Sequence, residues 1–135
     1  MAKIPCILLL ISFGFLISCD PETGDFYFVD NKSDYEILVN YKTWQPDTMI
    51  IVPPENKQLI YSNSEFGTAY DAGDNFLIHF DTISFAINDS LKIDKDYQSR
   101  ENWDFSITGG DGWLNGGLAN YTFVIDNNSI VKIDQ

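Results

Sequence analysis

His79 is the chain's single histidine, and the stretch "FLIHFD" alternates so that Leu77, His79 and Asp81 would share one face of a strand. An imidazole beside a carboxylate can activate a nucleophile or help to hold a metal. A triad also needs a nucleophile held against the imidazole, and zinc needs three or four ligands, usually several His or Cys. The sequence supplies neither set, so His79 reads as an ordinary strand histidine. The 20 acidic residues allow many carboxylate pairs of the kind that hydrolyse glycosides, and none is singled out by its spacing. The acidic stretches "YDAGDN" (residues 70–75) and "IDKDY" (93–97) lack the ligand spacing and terminal Glu of a calcium loop, and they read as solvated turns. No catalytic residue, metal site or cofactor is expected.

The most unusual local feature is "TGGDGWLNGGLAN", residues 108–120, in which five glycines surround Trp113 and Leu114. It has no lysine and carries Asp111, so it is not a phosphate loop. Trp113 either folds over the end of the core, where a large ring dominates local packing, or projects. If it projects, Trp113 and Leu114 with Trp44 and Tyr97 would form an aromatic contact surface for sugar rings or a protein partner.

The remaining reactive side chain is a thiol. Cys19 ends the run "MAKIPCILLLISFGFLIS", in which Lys3 precedes an almost unbroken apolar stretch from Ile4 to Ile17. That stretch is too short to span a bilayer, which takes about 20 apolar residues, and it has the order of a secretion signal. The other cysteine, Cys6, lies inside the leader, so Cys19 is left without a disulfide partner in an exported chain. The exit "LISC", residues 16–19, resembles the lipobox of bacterial lipoproteins. That resemblance implies a diacylglyceryl group on the Cys19 thiol, removal of residues 1–18, and acylation of the new amino terminus. The partner it implies is the membrane, reached through the lipid on Cys19. Residues 19–24 would be the lipidated cysteine and its tether, because "DPETG" has no apolar side chain. Asp20, Glu22 and Asp25 resemble the acidic surface-export pattern of Bacteroidota lipoproteins, while Asp20 alone resembles an inner-membrane retention signal of enteric bacteria.

The mature chain, strongly acidic in a protein of net charge −12, is repelled by phosphate backbones, so no nucleic acid partner is expected. Anionic lipid likewise attracts polybasic segments rather than a polyanion. Aromatic residues make up 15% of the chain, which favours strands over disorder.

The elements that must position these groups are strands of period two separated by turn residues. "DFYFVDN", "YEILVNYKT", "TMIIV" and "KQLIYSN" follow one another as a β-meander, with "PPEN" stopping the third because proline donates nothing to a ladder. Residues 64–74 form a loop. "FLIHFDTISFAINDSLKID" then alternates at length, with a bulge or break near Asp81–Thr82. Residues 83–94 and 121–134 resemble each other, and each reads as a hairpin about an Asn/Asp/Ser turn. "ENWDFSIT" adds a strand with Trp103, Phe105 and Ile107 on one face.

Eight or nine short strands without a helix predict an all-β domain over residues 25–135. The expected form is a two-sheet antiparallel β-sandwich, immunoglobulin-like in architecture but without the cysteine–tryptophan–cysteine signature. "FYFVDNKSDYEILV", "IIVPPENKQLIYS" and "NYTFVID", together with Cys19, resemble the small uncharacterised lipoproteins of Bacteroidota. The resemblance implies a secreted β-sandwich at the outer membrane. "DTM", "DTI" and "DSL" resemble O-glycosylation sites of that phylum, with Thr48, Thr82 and Ser90 as acceptors. The expected role is a non-enzymatic binding or accessory module with a glycan or an envelope protein as partner. The alternatives are a carboxylate-based hydrolase and a structural subunit of an envelope or fimbrial assembly.

Overall fold

In a computed structural model, residues 22–110 and 116–133 are described. They form nine short strands and three 3-10 turns, with no α-helix among the described residues. The strands are β1 (Glu22–Lys32), β2 (Ile37–Lys42), β3 (Thr48–Val52), β4 (Asn56–Phe66), β5 (Thr82–Ala86), β6 (Leu91–Ile93), β7 (Trp103–Thr108), β8 (Gly117–Asp126) and β9 (Ile130–Lys132). They assemble as three sheets, ordered β4-β1-β8-β7, β3-β2-β5 and β6-β9.

The inner faces of the two larger sheets meet in one core. Tyr27 and Val29 of β1, Val39 of β2, Ile83 of β5, Trp103 of β7 and Tyr121, Phe123 and Ile125 of β8 are all buried in it. Period-two alternation explains this directly: on β1 the odd positions face inward, leaving Phe26 and Phe28 on the outer side. Phe85 bridges the sheets, its ring 5.0 Å from Phe123. Burial of each such side chain contributes about 1.5–3 kcal/mol, and ring pairs of this kind add about 0.5–1.5 kcal/mol.

Four expectations are corrected by the pairing. The first four strands are not a meander: β1 pairs with β4, while β2 and β3 form a hairpin in the other sheet. Alternation decides which side chains point inward but not which strand lies alongside. The sheets are not wholly antiparallel, because β1 and β8 run parallel with Tyr27 opposite Tyr121. Strands this far apart in sequence have ample chain for the crossover that parallel pairing needs. Neither predicted hairpin forms a ladder of its own; within residues 83–94 only an isolated bridge, Asn88 to Leu91, joins the two arms. β5 pairs with β2, and the look-alike segments pair with each other, Leu91–Ile93 of β6 against Ile130–Lys132 of β9. Finally, residues 76–81 are not strand. Local bonds from Phe76 N to the Gly73 carbonyl, Ile78 N to Asn75 and Phe80 N to Leu77 wind them as turns, and strand begins only at Thr82.

The domain has two distinct ends. β1 and β8 start at one, which we call the Glu22 end. β4 and β7 finish there, opposite Glu22 and Leu118. β2 also finishes there, and β3 and β5 start there: Asp81 N donates to the Lys42 carbonyl, and Thr82 lies opposite Lys42. Residues 67–81 cross this end from one sheet to the other. The opposite Asn31 end holds the turn between β1 and β2 and the Pro53–Pro54 turn between β3 and β4. β1 is longer than its sequence pattern suggests. Glu22, Thr23 and Gly24, assigned from composition to the tether, are laddered against Phe66, Glu65 and Ser64.

Candidate functional site

The Glu22 end contains the larger recess, a groove of about 570 Å³. Thr23, Asp25 and Glu65 line it from the two strands; Phe66, Tyr70, Ile78 and His79 line it from the end of β4 and the crossing segment. That segment has no ladder of its own, and side chains of the sheet hold it instead. The Tyr27 hydroxyl donates to the Phe76 carbonyl. The Tyr121 hydroxyl accepts from Ala72 N at 3.0 Å. The two tyrosine rings stack at 5.2 Å, so the parallel β1–β8 pair presents both hydroxyls to one stretch of chain. Burial pushes both phenols up, with the Asp25 charge adding to the effect at Tyr27; neither is poised to ionise.

His79 does not share a strand face with Asp81. Its Nε2 lies 2.8 Å from Oδ2 of Asp25, 54 residues earlier. The ring sits edge-on to Tyr27 at 6.3 Å and tilted to Tyr61 at 6.0 Å. Both partners of the pair remain partly open to solvent. Of the lining hydroxyls, Thr23 donates to the Gly117 carbonyl at 2.9 Å and Thr68 makes no hydrogen bond to His79. The pair therefore orients an imidazole on the groove wall without a nucleophile bonded to it. The lining has carboxylates but neither Lys nor Arg, a composition that disfavours anions.

Arg100, the chain's only arginine, fastens the same segment from the other side. Its Nε and terminal nitrogen meet the two Asp71 oxygens at 2.8 and 2.5 Å, and another nitrogen donates to the Trp103 carbonyl at 2.7 Å. The guanidinium also lies over the Phe105 and Tyr121 rings, at 5.2 and 5.3 Å. The Arg100 hydrogen bond holds the Asp71 carboxyl below its ordinary range. Asp126, bonded to Ser129, is held low as well. Neither direction suits a proton donor. Asp71 of the "YDAGDN" stretch is thus engaged by a cation of the protein itself. Among the described residues, no three His, Cys, Asp or Glu side chains converge as metal ligands would.

The other sequence-predicted residues are dispersed. Cys19, Trp113 and Leu114 lie outside the described residues. The described flanks of the Gly-rich loop are at the Glu22 end: the Gly116 carbonyl accepts from Ala69 N at 2.8 Å, and a Cβ on Gly116 would overlap the Glu22 carbonyl. Trp44 stands on the β2–β3 turn, 82% exposed. Tyr97 packs against Phe85 at 5.0 Å, and its carbonyl accepts from Trp103 Nε1. Among the described ring pairs, Tyr97 contacts Phe85 and Trp44 contacts no other ring. Thr48 and Thr82 share a shallower depression of about 270 Å³ with Asn40, Lys42 and Asp47. Ser90 is exposed on the turn before β6, its N–H donating to Asn88 Oδ1.

Sequence reasoning missed the Asp25–His79 and Asp71–Arg100 pairs. A lone arginine in an acid-rich chain signals that some carboxylate will claim it, but not which. Comparison with protein families, with curated proteins and with solved structures gives no match to this chain.

Proposed function

We propose that this protein is an exported lipoprotein of the bacterial outer membrane, anchored through acylated Cys19, and that it works as a non-enzymatic binding or accessory module. In this reading the domain is a two-sheet β-sandwich of immunoglobulin-like architecture, and its partner is a glycan or an envelope protein. The observation that carries the reading is the junction at Cys19. Cleavage before it would remove an apolar leader and leave every described strand intact, since the first of these, β1, is described from Glu22. Two or more acyl chains make such an anchor stable, each buried methylene contributing about 0.8 kcal/mol.

The hydrolase alternative lacks support of this kind, because Asp71 and Asp126 are shifted the wrong way for a general acid. One observation favours the structural-subunit alternative: β3 is an edge strand exposing Met49 and Ile51, a feature that a partner strand could cover. Crosslinking on intact cells separates a strand-exchanged assembly from a free module.

The anchoring reading is tested by feeding cells an alkyne fatty acid and partitioning the extracted protein in a phase-separating detergent. The wild type should carry label and enter the detergent phase, and Cys19→Ala should do neither. Label on Cys19→Ala, or an unlabelled wild type in the aqueous phase, would overturn it.

A further inference from the structure

The five most exposed large apolar side chains among the described residues are Trp44 (82%), Phe66 (80%), Ile78 (74%), Tyr70 (70%) and Met49 (64%). All but Met49 belong to the Glu22 end. Phe66 is opposite Glu22 in the β1–β4 ladder, and Tyr70 and Ile78 are on the segment that crosses this end. Trp44 is on the β2–β3 turn, whereas Met49 faces outward from the edge strand β3, opposite Asn40. A scattered exposed ring on a soluble protein needs no explanation, but concentration of the most exposed ones at one end does. At the Asn31 end, by contrast, Tyr35 is only 40% exposed.

The position of Cys19 says what covers them. It stands three residues before Glu22. At 3.3–3.6 Å per residue, three residues reach at most about 11 Å whatever path they take. With the last three residues of the expected tether, Glu22 to Gly24, laddered in β1, only Asp20 and Pro21 separate the cysteine from the first described strand. A lipid on Cys19 thus holds Glu22 within that distance of the bilayer surface, and Phe66, one strand spacing of about 5 Å further, within about 16 Å.

We infer that the Glu22 end lies on the bilayer, with Trp44, Phe66 and Ile78 seated in the headgroup region of the leaflet that holds the anchor. The inference rests on the anchoring reading and adds an orientation to it. Trp, Tyr and Phe favour this interface because their rings are apolar and, in Trp and Tyr, end in a polar group. The charge at this end selects the lipid. Glu22, Asp25, Asp47, Glu65, Asp74 and Asp81 belong to it, against Lys42 on β2. An anionic surface would repel that set, so the fitting partner is a zwitterionic one. The groove, with its His79–Asp25 pair, then opens toward the membrane surface.

The test uses the acylated full-length protein in vesicles of phosphatidylcholine and phosphatidylethanolamine. Spin labels are placed singly through Trp44→Cys, Phe66→Cys and Ile78→Cys, with Tyr35→Cys and Leu59→Cys as controls. All five positions are exposed, so the labels should leave the fold unchanged. Collision with a water-soluble nickel chelate should be about threefold or more slower at 44, 66 and 78 than at the controls, with oxygen collision raised, as for groups sunk in the headgroup region. Mass spectrometry of the same sample reports the state of Cys19. Acylated Cys19 with all labels equally aqueous would overturn the orientation and leave the anchor standing. Unmodified Cys19 would overturn both. Contact only on phosphatidylglycerol-rich vesicles would overturn the assignment to zwitterionic lipid.

Discussion

The two ends of β1 treat their polar and apolar groups in opposite ways. At the Asn31 end a fully buried amide closes the structure. The Asn31 Nδ2 group lies 2.7 Å from the Tyr35 carbonyl and 3.0 Å from those of Val52 and Pro53, while its Oδ1 accepts from Ser33 N and Oγ. One side chain thus ties together the turns that carry the chain from sheet to sheet. At the Glu22 end the closing segment is also pinned by side chains, yet it turns Phe66, Tyr70 and Ile78 outward and leaves His79 and Asp25 partly wet. A buried polar group without partners costs about 1–3 kcal/mol, so satisfying all of them at one end is a requirement of folding. Nothing in folding requires rings to face water at the other. The contrast separates residues that maintain the structure from residues free to meet something outside it.

The strongest way to break this contrast is at Asn31. Asn31→Leu would strand the buried Val52 carbonyl and the buried Ser33 N–H, besides the partly buried carbonyls of Tyr35 and Pro53, and should cost roughly 3 kcal/mol, read as a lower urea midpoint at unchanged slope. Arg100→Ala should cost about 2 kcal/mol through lost packing, ring contacts and hydrogen bonds. Its effect should also depend on pH. Asp71 has a folded pKa below its unfolded value of about 3.9, so its contribution is complete above that value and is lost as pH falls through the folded one. The stability gap between wild type and Arg100→Ala should therefore narrow below about pH 3.9. Tyr121→Phe should cost about 1 kcal/mol, with faster amide exchange concentrated in residues 72–76. Phe66→Ser or Trp44→Ser should change stability by no more than about 0.5 kcal/mol. A large loss in either would mean that these rings maintain the fold, and the contrast between the ends would fail. The one change expected to stabilise is at Glu55, whose φ of 57° puts a non-glycine residue in the left-handed region. Glu55→Gly relieves the Cβ clash there but adds backbone entropy to the unfolded chain, so stability should rise by only about 0.5 kcal/mol, read as a higher urea midpoint.

How much of this was legible in the residues depends on range. Period-two alternation placed most strands and flagged a bulge or break near Asp81–Thr82, and proline marked the "PPEN" stop, because these are decided within a few residues. Partner choice was not legible. The "LKI" and "IVK" stretches looked like the ends of two hairpins, and they are two strands of one small sheet. Residues 76–81 alternate in sequence as a strand does, yet buried Phe76 and the Tyr27 hydroxyl fix them as turns. Asn31 reads as a turn residue; only its burial reveals the connection. Asp25 and His79 are 54 residues apart, and the nearer Asp81 was the natural but mistaken choice. Of the rings grouped with Trp113 as a conditional contact surface, Trp44 stands on the surface and Tyr97 packs on Phe85.

The orientation, the short tether and the functional reading all descend from the chemistry at one sulfur atom. Mass spectrometry of the amino-terminal peptide, from protein extracted out of its native membrane, tests it most directly. The account predicts a mature chain that begins at Cys19 with a diacylglyceryl thioether, and with an acyl chain on the new amino group. A free Cys19 thiol, or a mature terminus at another residue, would contradict it.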